Sequence, residues 1–164
     1  MTQLAMDSLT LGHVAITLIG IVTGLIVVSA MTRGHDHAGW TAAFLLFTVL
    51  TSATGFLFHN PTGKPTPAQI VGAISLAILA LALVAYYIGG RRGVWRPLYV
   101  VTAILALYLN VFVLVIQLFL KVPSLHALAP AGSGPVFGAA QGVVLLIFLA
   151  AGWLGLKNFR PALA

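Results

Sequence analysis

The sequence contains no cysteine, which excludes disulfides, thiol chemistry, iron–sulfur clusters and thiolate zinc sites. Carboxylates are almost as scarce, since Asp7 and Asp36 are the two acidic residues in 164. Charged residues of both signs make up 6% of the chain, against about 25% in an ordinary soluble domain. None of them falls in the middle of a long apolar stretch. Proton pumps, cation-coupled carriers and voltage sensors depend on such groups at membrane depth, and a retinal Schiff base needs a lysine there. A nucleophile–base constellation of the serine or intramembrane-protease kind is missing too. These absences point away from autonomous catalysis and predict that the chain is not an enzyme.

What the sequence does have is apolar length. Sixty per cent of its residues are hydrophobic and its mean hydropathy is +1.09. A helix rises about 1.5 Å per residue, so about 20 apolar residues cross a bilayer core. Five stretches qualify, at residues 11–30, 40–58, 67–88, 97–120 and 135–156. Lipid requires each to satisfy its backbone polar groups internally, as a helix does, and the alternation of a barrel strand is absent. The expected fold is an all-α integral membrane protein, a five-span transmembrane helical bundle forming a single domain over residues 1–164. The first stretch ends in Val28-Ser29-Ala30, which resembles a signal-cleavage site. Its leading residues carry Asp7 and no Lys or Arg, so it is expected to remain on the mature protein.

The net charge of +6 is not the mark of a nucleic-acid binder, because the cations are thinly spread over short loops. Arg33, Arg91, Arg92, Arg96, Lys157 and Arg160 fall on one side of a five-span arrangement, Lys64 and Lys121 on the other. The positive-inside rule then predicts an external N-terminus and a cytoplasmic C-terminus. Trp40, Trp95 and Trp153, with Tyr86, Tyr87 and Tyr99, fall on the cytoplasmic side, as an interfacial aromatic belt would.

Polar residues within the spans have helical spacing. His13, Thr17, Gly20 and Gly24 share one face of the first span, and Thr48, Ser52, Gly55 and His59 one face of the second. Small residues let helix backbones approach and hydroxyls can bond across the seam, so the two spans are expected to pack there. Ile21 is then expected to face lipid. His13 and His59 would crown the two stripes near the outer surface. One reading is helix packing, with each imidazole meeting interfacial water or a carbonyl. The other is a shared site for b-type haem, copper or a quinone headgroup. Asn110 and Gln117 project from one face of the fourth span beside Ala103 and Ala106, and Gln141 lies high in the fifth. Such amides serve either as interhelical glue or, for Gln117 and Gln141, as walls of a polar pocket. His126, in the loop before the fifth span, would supply a third imidazole and favour copper over haem. His35 and His37 with Asp36 could hold copper or nickel weakly, but in a short loop they read as part of a solvated turn.

The run from Leu107 to Gln117, followed by Lys121-Val122-Pro123 and Leu128-Ala129-Pro130, carries a resemblance, together with His13-Val14, Gly20, Gly24 and Thr54-Gly55-Phe56. The chain resembles an uncharacterised family of small multi-pass bacterial inner-membrane proteins. That resemblance covers most of the chain and implies a location in the bacterial inner membrane, with no activity attached. The expected function is a non-enzymatic accessory or structural subunit, partnered by the lipid bilayer and by another membrane protein or a second copy. A redox module holding its group through His13 and His59 is the alternative.

Overall fold

The computed structural model describes residues 3–58, 63–129 and 133–161, with side chains from residue 7 onward. Every element among the described residues is helical: α1 (Gln3–Thr32), α2 (Ala38–Thr54), α3 (Pro67–Leu83), α4 (Trp95–Lys121), α5 (Pro123–Leu128) and α6 (Pro135–Asn158). A 3-10 turn over Gly55–Leu57 prolongs α2, and a π-turn over Val84–Ile88 prolongs α3. Five stretches are long and apolar enough to cross a membrane: Asp7–Thr32, Ala38–Leu57, Pro67–Ile88, Trp95–Lys121 and Pro135–Asn158. The architecture is thus compatible with a multi-pass membrane protein.

Local chemistry sets the limits of these helices. Thr66 caps α3 by accepting from Gln69 N–H at 3.2 Å, while Gln69 Oε1 accepts from Thr66 N–H at 2.9 Å. Pro67 follows at the first helical position, where the missing N–H is no loss. Pro123 and Pro135 open α5 and α6 in the same way. The stretch after α4, expected to lie along the surface or cap the bundle, forms the short helix α5 against α4. Ala129 just beyond it is buried, whereas Leu128 stays exposed.

The central helix is α4, which packs against α1, α3 and α6, while α2 fills the space between α1 and α3. Its inward residues include Tyr99, Ala103, Ala106, Leu107 and Asn110. The small side chains among them let neighbouring backbones come close, the packing mode open to helices in lipid. Helix α6 joins by a narrow face on which Gln141 and Gly155 are the buried residues. Much of its remaining surface is apolar and exposed, from Val143 through Leu149 to Trp153.

Two expectations are corrected. Ile21 does not face outward: it is 5% exposed, because α1 is covered by α2, α4 and α6 and its buried arc is correspondingly wide. Tyr99 does not present its ring on the bundle surface as a belt residue would. It is fully buried between Tyr86, at a ring-centroid distance of 5.2 Å, and Phe159, at 5.7 Å. Its burial follows from the position of α4 at the centre of the bundle.

Candidate functional site

The end of the bundle where the first span begins holds His13. This half-buried imidazole places Nδ1 2.8 Å from Thr54 Oγ1. Thr54 Oγ1 also lies 2.7 Å from Leu50 O and 3.3 Å from Thr51 O, carbonyls that can only accept, so the hydroxyl proton is assigned to this side. Thr54 therefore accepts from His13 Nδ1–H, which assigns the ring the tautomer with its lone pair on Nε2. Phe58 meets the ring edge-on at a centroid distance of 5.1 Å. A Cβ added to Gly55 would lie 3.9 Å from His13 Cε1, so this glycine borders the imidazole with room to spare. His59 lies outside the described residues. Thr54 carries the bond that orients His13; its sequence signal was weak, since Thr54 falls beside the Ser52–Gly55 stripe.

The remaining residues singled out in the sequence spread over the bundle. Gly20 sits against α2, where an added Cβ would come 3.4 Å from the backbone carbon of Phe47. Gly24 lies beneath the Phe44 ring and the Leu107 side chain, at the junction with α4. Ser52 is buried, and its carbonyl oxygen lies 3.5 Å from the Cβ position of Gly72, so this part of α2 adjoins α3. Asn110 is buried with no hydrogen bond from Nδ2. Gln141 Nε2 donates across the α4–α6 contact to Phe112 O at 3.0 Å, while its Oε1 has no partner. Gln117 is half-buried on α4, and His126 is exposed on α5. Among the described residues, no three His, Asp or Glu side chains gather into a metal-holding group.

Of the hydroxyls expected to bond across the α1–α2 seam, Thr17 turns back on its own helix and the buried Thr48 Oγ1 has no hydrogen-bond partner among the described residues. Thr17 donates to His13 O at 2.8 Å, Thr23 to Ile19 O at 2.7 Å and Thr102 to Leu98 O at 2.7 Å. A carbonyl one turn back is always within reach of a helical hydroxyl, whereas a partner across the seam is not.

The opposite end is tied together by charge. Arg91 Nη1 donates to Asp36 Oδ2, joining the α3–α4 turn to the α1–α2 turn. The Asp36 side chain is 4% exposed, and the Arg91 guanidinium also lies 4.3 Å above the Tyr86 ring. The turn is demanding: Gly90 and Arg91 both take left-handed backbone angles, φ 58° and 56°. Gly89 is backed so closely by Trp95 that an added Cβ would lie 2.2 Å from its ring. For a non-glycine residue the left-handed conformation costs about 1–3 kcal/mol, so Arg91 is held there by its side-chain partners. Arg96 donates to Phe159 O at 2.6 Å, just beyond α6, and to Leu156 O at 2.7 Å in its last turn. Asn158 Nδ2 donates to Thr32 O at 2.7 Å, and Gly34, at φ 84°, lets the chain pass beside Asn158. In the sequence these cations mark only topology, and their partners are set by the fold. A signal was present: Asp36 is one of two acids in the chain, and it shares its end with Arg91.

No family model matches this chain, and no curated protein or solved structure matches it either.

Proposed function

We propose that the chain is a non-enzymatic integral membrane subunit that packs against a larger membrane complex through α6. The observation behind this reading is a glycine seam that the chain itself does not use. Added Cβ atoms at Gly138, Gly142 and Gly152 would meet nothing within 4 Å, although all three lie on a helix expected to cross the membrane. Glycine lowers helix stability by about 1 kcal/mol relative to alanine, and lipid gains nothing from it. Its use in a spanning helix is to admit a second backbone, as in small-xxx-small contacts, and Gly138 and Gly142 have that spacing. In this reading the partner supplies a transmembrane helix, the site is the bacterial inner membrane, and the arginine-rich end is cytoplasmic.

Because the chain lacks cysteine, a single introduced thiol is a clean probe. Gly142→Cys in native membranes is expected to cross-link to a partner subunit, whereas Ile147→Cys, on another exposed part of α6, does so far less. Gly142→Leu, which meets no internal obstacle, should lose the co-purifying partner and keep the fold. Equal cross-linking at both positions, or none at either, defeats the reading. Cross-linking to a second copy makes the assembly a homo-oligomer and removes the larger complex.

One observation favours the redox alternative. Metal-binding histidines commonly have one ring nitrogen fixed by a neighbour and the other free to bind, and Thr54 fixes His13 Nδ1 in this way. The Nε2 lone pair would suit a haem iron, a copper ion or the hydroxyl of a quinol. Protein from native membranes would then show a haem absorption band, bound copper or extractable quinone that His13→Ala abolishes. A colourless, metal-free and quinone-free preparation rules it out.

A further inference from the structure

We propose that the groove along α1 below the α1–α2 turn is a binding site for one anionic phospholipid, with its phosphate at Arg33 and one acyl chain along Leu25 and Ile26. The proposal rests on the membrane reading of the five helices and is independent of any protein partner of α6. The groove is shallow, about 640 Å3, and is lined by Leu25, Ile26, Ser29, Arg33, His35 and His37 among others. Its lining changes in one direction. Apolar Leu25 and Ile26 lie two turns below Arg33, about 12 Å along the helix at 1.5 Å per residue. A phospholipid has the same polarity gradient, from headgroup phosphate to upper acyl chain, over a comparable depth.

Charge completes the match. The acid of this turn, Asp36, pairs its largely buried carboxylate with Arg91, so its charge is offset rather than presented to an anion at the groove. Arg33, His35 and His37 remain exposed, and Arg33 has no ion pair or side-chain hydrogen bond among the described residues. The two imidazole rings lie parallel with centroids 6.3 Å apart and border the same groove. A guanidinium offers a fork of N–H donors that fits phosphate oxygens, and imidazole N–H groups add further donors. Trp40, half-exposed just beyond His37, marks the headgroup depth at which the phosphate would lie. A second groove, lined by Asp36, His37, Ala38, Gly39, Trp40 and Ala43, borders the same histidine but has no cation in its lining. The anion site therefore belongs on the Arg33 side.

The test is native mass spectrometry of the purified full chain titrated with phosphatidylglycerol or phosphatidylcholine. Wild type is expected to retain phosphatidylglycerol selectively. Arg33→Ala should weaken that retention by about five- to tenfold, in line with one arginine at an anionic surface. Arg92→Ala, an exposed arginine on the other turn at this end, should leave it unchanged. Leu25→Trp fills the apolar part of the groove without altering charge, and should also lower retention. Circular dichroism of each variant confirms that the helices persist. The proposal fails if the two lipids bind alike, or if Arg33→Ala and Arg92→Ala act equally. It also fails if inorganic phosphate displaces the lipid while Leu25→Trp has no effect, since the site would then serve a free anion.

Discussion

Replacing Gly24 with alanine tests how the centre of the bundle is packed, with Gly20→Ala as its internal reference. At residue 24 the new Cβ would lie 2.6 Å from Leu107 Cδ1 and 2.8 Å from two carbons of the Phe44 ring. Carbon atoms settle at about 3.5–4.0 Å, so both neighbours must withdraw by about 1 Å. Both are fully buried, leaving no free space to withdraw into. Overpacking of this kind costs about 1–3 kcal/mol. At residue 20 the nearest atoms are at 3.4 and 3.5 Å, which is ordinary contact. Both substitutions gain the same helix propensity, about 1 kcal/mol, and that gain cancels when they are compared. Gly24→Ala should therefore be less stable than Gly20→Ala by about 1–3 kcal/mol, with Gly20→Ala at or above wild type. Equilibrium unfolding in mixed micelles, followed by circular dichroism, measures the difference. Equal stabilities, or the reverse order, would refute the placement of Gly24 under Phe44 and Leu107.

The buried Asp36–Arg91 pair should show strong coupling. Asp36→Asn leaves a largely buried guanidinium uncompensated and is expected to cost about 3 kcal/mol, while adding Arg91→Met should recover much of that loss. Additive effects in this double-mutant cycle would show that the pair contributes nothing as a unit. Gln141→Leu should change stability by less than about 1 kcal/mol, because it loses one bond to Phe112 O and also removes an unpartnered oxygen; a larger loss would reveal a partner for that oxygen. For orientation, a reporter fused after Ala164 should read cytoplasmic and one inserted at residues 60–67 external. Finding both on the same side overturns the five-span arrangement.

The histidine end was partly legible in the sequence. Periodicity placed His13 and Gly20 on the face of α1 that meets α2, because helical spacing is a property of the chain itself. It could not single out Thr54 as the imidazole's partner, since that depends on how far α2 slides along α1. Arg91 was legible as a topological charge and Asp36 as an acid at the same end, but which arginine there takes the carboxylate was not. Asp36 and Arg91 are 55 positions apart, and no local rule pairs them.

The five long apolar helices and their approximate limits were legible in the sequence alone, whereas the short α5 was not. Apolar length, proline and glycine act locally, and a helix satisfies the backbone of such a stretch within itself. Beyond the small-residue stripes, only the tertiary structure decided which apolar faces are inward. In lipid, apolar residues gain little by being buried, so hydropathy along a helix does not tell inside from outside. Ile21 shows this: its composition suits lipid, yet the approach of α2, α4 and α6 around α1 encloses it. The same helix arrangement turns Asp36 inward to Arg91, leaves Arg33 facing out, and leaves Gly138 and Gly142 of α6 uncovered. Those outcomes depend on contacts between segments distant in the chain, where close packing rather than polarity makes the choice.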